Sequence, residues 1–349
     1  MVVAGSLMTE LRPDKRIHVA VGVILDERGH VLVARRAEQQ HLGGLWEFPG
    51  GKLEPGENVQ QALYRELKEE LAIEVQQSQP LCQIEHNYPE KSVLLDVWIV
   101  NRFIGEPTGV EKQPLRWLPP AQLDPALFPP ANRLIIRRLQ LRDQFAIINL
   151  PGSSPPGSTT PGWSPPGWSQ DSAWVPHDAL VRLRCQHKDR YDDYLAAART
   201  ALPALVASTA GVIVDLSPAH VATDCLVRQD VYALDGFKGL HAHSGLLQTM
   251  TVRPVPDHLL FGVSCHTREE LALALALDAD YALLSPVKST PTHPDGSPLG
   301  WDEFETLTAA SPVPVYALGG MMATDLANAR ARGGRGIAGI SLFSSGTMR

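Results

Sequence analysis

Glu57, Glu66, Glu69 and Glu70, with Arg65 among them, are spaced for chemistry between Gly51 and Glu70. The stretch reads Gly51-Lys-Leu-Glu-Pro-Gly-Glu57 and continues to Arg65-Glu-Leu-Lys-Glu-Glu70. Asn58 to Leu71 has no internal Gly or Pro and places Val59, Ala62, Leu63, Leu67 and Leu71 at helical spacing, which predicts an amphipathic helix. On that helix Glu66, Glu69 and Glu70 share one face. Three carboxylates on one face repel each other unless a cation sits among them. Mg2+ is hard, seeks oxygen ligands and is commonly shared between carboxylates and substrate phosphates. Glu57, at the helix start, closes such a cage from the loop side, and Gly50, Gly51 and Gly56 let backbone approach a phosphate or metal. The alternative is a solvated acidic face in which Arg65 and Lys68 pair with the acids at little gain. The Gly-rich loop favours the metal site.

The segment resembles the Nudix box, G-x5-E-x7-R-E-U-x-E-E-x-G-U with U apolar. Gly51, Glu57, Arg65, Glu66, Leu67, Glu69, Glu70 and Ile73 match, and Ala72 stands where the family has Gly. Gly there suits a left-handed helix cap, so Ala would cost about 1 kcal/mol. The resemblance extends over residues 17–140. Leu45-Trp-Glu-Phe-Pro-Gly-Gly51, Arg35-Arg36, His41, Glu111-Lys-Gln-Pro114 and Phe128-Pro-Pro-Ala-Asn132 follow the pattern of the MutT-type 8-oxo-dGTP diphosphatases. It implies Mg2+, with Mn2+ as a substitute, bridging Glu57, Glu66, Glu69, Glu70, Glu111 and the Gly50 carbonyl to the phosphates. Glu66, Glu69, Glu111 and Arg65 are then the catalytic set, with Glu66 and Glu111 as rival bases and Arg65 bracing the box helix. Arg36 would contact phosphate as a fork-shaped donor. His41, Glu47, Phe48, Pro49, Gly50, Tyr88, Lys91 and Asn132 complete the substrate-binding set. Asn132 offers both donor and acceptor and could read a purine edge; the competing reading is an N-cap for the helix that follows.

The elements that must hold these residues read as a mixed α/β domain. His18–Leu25 and Val31–Ala34 look like strands around a turn, strand-like runs recur at Leu81–His86 and Ser92–Phe103, and Arg133–Leu141 looks like a closing helix. The α/β/α Nudix fold is the expectation. Pro151 to Ser172 is dense in Pro, Gly and Ser, which excludes regular structure and reads as a linker. The expected organisation is therefore 1–149 Nudix domain, 150–172 linker and 173–349 second domain.

After Ser172 short apolar strands alternate with helices, which implies a parallel sheet with right-handed crossovers. Val181–Cys185, Gly211–Asp215, Gly239–His241, Leu260–Val263, Tyr281–Ser285, Val315–Leu318 and Gly336–Ile340 are the candidate strands. Helices are read at Tyr191–Leu202, closed by Pro203, and at Arg268–Leu277, Asp302–Ala309 and Thr324–Arg332. These units suggest a (β/α)8 barrel one strand short. Ser285-Pro-Val-Lys-Ser-Thr-Pro-Thr-His293, Leu318-Gly-Gly320, Gly339-Ile-Ser341 and Gly262-Val-Ser-Cys-His266-Thr resemble thiamine-phosphate synthase and its thiazole tautomerase relatives. That resemblance implies a phosphate site at Gly319, Gly320, Gly339 and Ser341 for a phosphorylated thiazole-like ligand. It also exposes departures. Arg184-Cys-Gln186 lacks the family's lysine, His293 replaces another, and no acid follows His241, so only Asp215 is left as a metal ligand. A phosphate-binding, degenerate barrel is expected rather than a synthase; His241, His243 and His266 read as structural, with proton transfer as in the tautomerases or metal binding as the alternatives.

The composition excludes other classes. A net charge of −7 over 349 residues argues against a nucleic-acid-coating surface but permits a nucleotide bound through a metal. Four scattered cysteines, with no C-x-x-C, suggest neither a zinc site nor a disulfide framework. No apolar run reaches membrane-spanning length and the start is unlike a secretory signal, so a cytoplasmic protein is expected.

Overall fold

The computed structural model describes residues 16–150, 178–186, 191–217, 234–290, 297–340 and 342. The chain divides into two compact units between Gln140 and Leu141.

The N-terminal unit runs β1 (Arg16–Ile24), β2 (Val31–Arg35), β3 (Trp46–Glu47), β4 (Gly50–Lys52), α1 (Val59–Leu71), β5 (Glu74–Tyr88), β6 (Lys91–Ile104), β7 (Leu115–Leu118) and α2 (Arg133–Gln140). One sheet has the order β4-β1-β6-β5, with β1 and β6 parallel and the other pairs antiparallel; a second has the order β3-β2-β7. Strand side chains alternate between faces, and β1 serves two cores in this way. Ala20 and Ile24 pack with Leu63, Leu67 and Leu71 of α1, whereas Val21 and Val23 pack with Phe128, Leu134 and Ile135 on the opposite face. This is the expected α/β/α sandwich.

Helix α1 begins where the sequence places it. Asn58 accepts from the Gln61 N–H at 2.9 Å, and the Gln61 side chain accepts from the Asn58 N–H at 2.9 Å, a reciprocal capping box. The helix ends on Ala72 in the left-handed conformation (φ 55°, ψ 32°), with the Ala72 N–H donating to the Lys68 carbonyl at 3.1 Å.

The second unit is a closed, all-parallel eight-stranded barrel of β8 (Gln144–Leu150), β9 (Leu180–Cys185), β10 (Gly211–Asp215), β11 (Gly239–Ala242), β12 (Leu260–Cys265), β13 (Tyr281–Leu284), β14 (Val315–Leu318) and β15 (Gly336–Gly339). The strand absent from the sequence reading is β8. It lies before the Pro-rich segment and pairs with β9 on one side and β15 on the other. Two expectations are thereby corrected. The first domain ends at Gln140 rather than residue 149, and the segment 150–172 joins the first and second barrel strands rather than the two domains. Leu150 belongs to β8, while 151–172 lie outside the described residues.

Phe145, Ile147, Ile213, Leu283, Tyr281 and Tyr316 fill the barrel interior. The barrel is tied down just past the boundary: Asp143 takes Arg330 (3.1 Å) and Arg335, and Ile337 N–H donates to the Asp143 carbonyl at 3.0 Å. Helix α3 (Tyr191–Ser208) runs through Pro203, where a stop was expected. A proline inside a helix costs about 3 kcal/mol; Leu195, Ala198, Ala201, Leu202 and Leu205 keep one buried face continuous across it and offset that cost. No helix of the described residues is long and apolar enough to cross a membrane.

Candidate active site

A cleft of about 540 Å3 opens on the β1/β6 face of the N-terminal unit, lined among others by Ile17, Val19, Val93, Leu95, Tyr88 and Asn132. Alternate residues of β1 and β6 give it an apolar floor. At one end stands Asn132, buried, with a side-chain Oδ1 that has no hydrogen-bond partner. It sits in a 3-10 turn (Pro130–Asn132) whose last N–H donates to the Pro129 carbonyl at 2.8 Å. The Oδ1 accepts from no backbone N–H, so Asn132 does not act as the N-cap of α2. Tyr88 forms the wall, its ring edge-on to His41 (5.5 Å, 87°) with the Lys91 ammonium 5.9 Å from its centroid. Burial pushes the Tyr88 phenol above its ordinary range. Phe48 lies beneath, against Phe128 (5.6 Å between centroids).

At the other end the acids form two overlapping sets that share Glu66. Arg65 gathers the first: Nε and Nη2 donate to Glu57 (2.8 and 2.9 Å), Nη1 to Glu66 (2.9 Å) and Glu69 (3.2 Å), and Nη2 to the Lys52 carbonyl (3.1 Å). Those hydrogen bonds hold the Glu57 carboxyl down at about 2 and push the Arg65 guanidinium up. These contacts tie the loop to α1. The second set is Glu70 with Glu47, Glu66 and Glu111. Burial, then the charges of those three acids, raise the Glu70 carboxyl to about 8, opposed by one hydrogen bond from the Gly50 N–H at 3.1 Å. Glu47 is raised too, by burial first and by Glu111, against the pull of Arg36.

The glycines decide how close these groups stand. A Cβ on Gly51 would strike the Glu66 carboxyl, and one on Gly50 (φ 140°) would strike the Ala20 carbonyl. The bare backbone of β4 is what admits Glu66 to the sheet edge.

Among the described residues no three His, Cys, Asp or Glu side chains stand together as a ready metal cage. The donor chemistry nevertheless fits a hard cation. Every member is a carboxylate, and a carboxyl at about 8 in the company of three acids is what a divalent cation relieves. Glu57, Glu66 and Glu69, expected as ligands, all accept hydrogen bonds from Arg65, and Glu69 is 61% exposed. Arg36, expected on phosphate, donates from Nη1 to Glu47 and from Nε to the His41 carbonyl at 3.0 Å. It organises Glu47 and the following loop.

A second cleft of about 280 Å3 shares Arg36, Glu47 and Glu70 and adds Glu111, Lys112 and Gln113. Lys52, which lines the first cleft, and Gln113, in the second, were not singled out as site residues from the sequence. Gln113 lay inside the Glu111–Pro114 motif, whose spacing alone does not show what its amide touches.

The NUDIX domain family matches residues 20–138. The 8-oxo-dGTP diphosphatase of Escherichia coli is 40% identical over 126 residues, covering 36% of this chain and 98% of that protein. The chain belongs to the Nudix family. Its Nudix domain is also 38% identical over 102 residues to the CTP pyrophosphohydrolase of Escherichia coli, which covers 29% of this chain and 76% of that protein.

The barrel matches the thiamine monophosphate synthase family at residues 227–343. A Geobacter sulfurreducens protein assigned as a thiamine-phosphate synthase is 34% identical over 116 residues, or 33% of this chain. The chain spans 54% of that protein's length.

In the barrel, Gly319 and Gly320 follow β14 and Gly339 closes β15, which puts them at the C-terminal ends of the strands; Ser341 and His293 lie outside the described residues. Asp215 is not available as a metal ligand. Arg182 holds it bidentately in buried hydrogen bonds (2.6 and 3.0 Å), and the half-buried Cys185 N–H donates to it at 3.0 Å. His241 is fully buried between Tyr281 OH (3.1 Å) and Ser264 Oγ (2.8 Å), and burial, then Arg182 and His243, push its imidazole well below the ordinary range. His243 caps Ser244–Leu247 through Nδ1 (3.1 Å). His266 pairs through Nδ1 with the Ser285 carbonyl at 2.7 Å. The structural reading of His241 and His243 accounts for these contacts.

Proposed function

We propose that the Nudix domain is a Mg2+-dependent nucleoside triphosphate pyrophosphohydrolase. It converts 8-oxo-dGTP, and oxidised guanine nucleotides generally, to the monophosphate and pyrophosphate, which keeps oxidised guanine out of DNA synthesis. The observation that carries this reading is the pairing, in one cleft, of an acid cluster around Gly50 with the buried, unpaired Oδ1 of Asn132. Oxidised guanine carries a hydrogen on N7 where guanine presents an acceptor. An acceptor without a partner therefore favours the oxidised base. The apolar floor and Tyr88 take the base faces, and Lys91 and His41 stand at the rim.

A divalent cation held by Glu66, Glu70 and Glu111 would neutralise charge on the phosphates, and Arg65 keeps Glu66 on station. Glu66 and Glu111 remain the two candidates for taking the proton from the attacking water. Positioning and charge neutralisation supply most of the rate in phosphoryl transfer. The protein is proposed to act in the cytoplasm, without direct nucleic-acid or membrane contact.

For the barrel we propose binding of a small phosphorylated ligand of the thiazole type at Gly319, Gly320, Gly339 and Ser341, without synthase turnover. The Arg182–Asp215 pair supports this, because it leaves Asp215 no role in holding a metal at a departing pyrophosphate.

The test is pyrophosphate release from 8-oxo-dGTP, dGTP and CTP by the intact chain with Mg2+. A strong preference for 8-oxo-dGTP supports the reading. Preference for CTP, or no turnover of any of the three, overturns it.

A further inference from the structure

Glu111 arrives at the acid cluster on a loop, and what holds that loop is the far end of the box helix. The last carbonyls of an α-helix have no partner within the helix. Here the 105–114 segment supplies one for each of the last two. Thr108 N–H donates to the Leu71 carbonyl (3.0 Å) and Val110 N–H to the Glu70 carbonyl (3.0 Å). The Glu70 carbonyl takes a second donor, the Gln113 side-chain amide at 2.9 Å. Glu70 thus serves the site twice, its carboxyl inside the acid cluster and its carbonyl anchoring the loop that brings Glu111.

Two further features show that the loop is held in place against a local cost. The Gln113 Oε1 is buried without a hydrogen-bond partner, which is unfavourable. Lys112, between it and Glu111, is held in the left-handed region (φ 64°) at the end of a tight turn closed by Lys112 N–H to the Gly109 carbonyl (2.9 Å). A non-glycine residue held there is strained and persists only where surrounding contacts enforce it. Gln113 and Arg35 N–H, which donates to the Pro114 carbonyl at 3.0 Å, are the contacts beyond the turn.

We propose that Gln113 is a positioning residue of the Nudix site: its amide clamps the Glu111 loop to the Glu70 carbonyl so that the Glu111 carboxylate stays in the acid cluster. The proposal rests on the function given above, and its metal-binding arm tests it without any substrate. Partners that orient ligands typically change metal affinity or activity by about 10–100-fold when removed.

The experiment uses the intact chain with Gln113→Met, Glu111→Gln and the double variant. Mn2+ is titrated by electron paramagnetic resonance, kcat and KM are measured, and melting confirms folding. Gln113→Met is expected to weaken Mn2+ binding and lower kcat by about tenfold or more, with KM and melting temperature little changed. In the Glu111→Gln background it should cost little more, because it acts through Glu111. Lys112→Gly, which relieves the positive φ and frees the same loop, should move both readouts in the same direction by less, and it decides the matter if Gln113→Met does not fold. Unchanged Mn2+ affinity in a folded Gln113→Met, or losses that add fully in the double variant, overturns the proposal. Loss of turnover in every protein with Mn2+ effects intact would count against the assigned reaction instead.

Discussion

Glu70→Gln separates what this carboxyl does to the fold from what it does for the site. In the unfolded chain Glu70 ionises near 4.5, and in the folded domain it keeps its proton until about pH 8. Between those values the folded state holds a proton that the unfolded state has lost, so stability falls as pH rises from about 4.5 to 8 and levels off above. Moving a carboxyl from 4.5 to about 8 corresponds to at most about 5 kcal/mol, and water in the open cleft reduces this to about 2 kcal/mol. Glutamine does not titrate and still offers an oxygen to the Gly50 N–H. In buffer free of divalent cations, the wild type should therefore lose stability between pH 5 and pH 8.5 while Glu70→Gln does not. At pH 8.5 the variant should melt about 5 °C higher. Added Mg2+ should narrow the gap by stabilising the wild type only, since a cation takes the ionised carboxyl. Thermal denaturation across pH, with and without Mg2+, measures all of this. Parallel pH profiles for the two proteins would refute the reasoning.

Three other perturbations follow from the geometry. Ala72→Gly removes the left-handed strain at the end of α1 and should stabilise the Nudix domain by about 1 kcal/mol in chemical denaturation; a loss of stability contradicts it. Asn132→Ala should cut the preference for 8-oxo-dGTP over dGTP by about 10- to 100-fold through loss of about 1–3 kcal/mol, with dGTP turnover little affected; an equal fall for both nucleotides would make Asn132 a packing residue. Deleting Gln144–Leu150 removes the buried Phe145, Ile147, Ile148 and Leu150, about 1.5–3 kcal/mol each, which together match a whole domain's stability. The near-ultraviolet circular dichroism of the buried barrel tyrosines should vanish; its survival would show that β8 is dispensable.

What was legible in the sequence was local. The start of α1 at Asn58, its apolar stripe and the cost at Ala72 are set by neighbours within a turn or two, and each is found in place. Seven barrel strands were legible because each is a short apolar run beside helical spacing. The eighth, Gln144–Leu150, is as apolar as the others, but its partners Leu180–Cys185 and Gly336–Gly339 lie far along the chain. The Pro-rich stretch after it looked like a boundary for the same reason: composition reports the absence of regular structure, not which elements the segment connects. Pro203 was read by a local rule that the packing of α3 overrides. In the site, residue types were legible and partners were not. Nothing in the spacing distinguishes an Arg36 free for phosphate from one bound to Glu47, or an Asp215 free for metal from one held by Arg182. The contact between Gln113 and the Glu70 carbonyl is likewise visible only once the loop is folded back on the helix.

The most direct measurement of the central claim is pyrophosphate release from 8-oxo-dGTP and dGTP by the intact chain, alongside Glu66→Gln and Asn132→Ala, with and without Mg2+. The account predicts Mg2+-dependent turnover with strong preference for the oxidised nucleotide, activity abolished in Glu66→Gln, and preference but not dGTP turnover lost in Asn132→Ala. Equal turnover of the two nucleotides by the wild type, or full activity in Glu66→Gln, would contradict it.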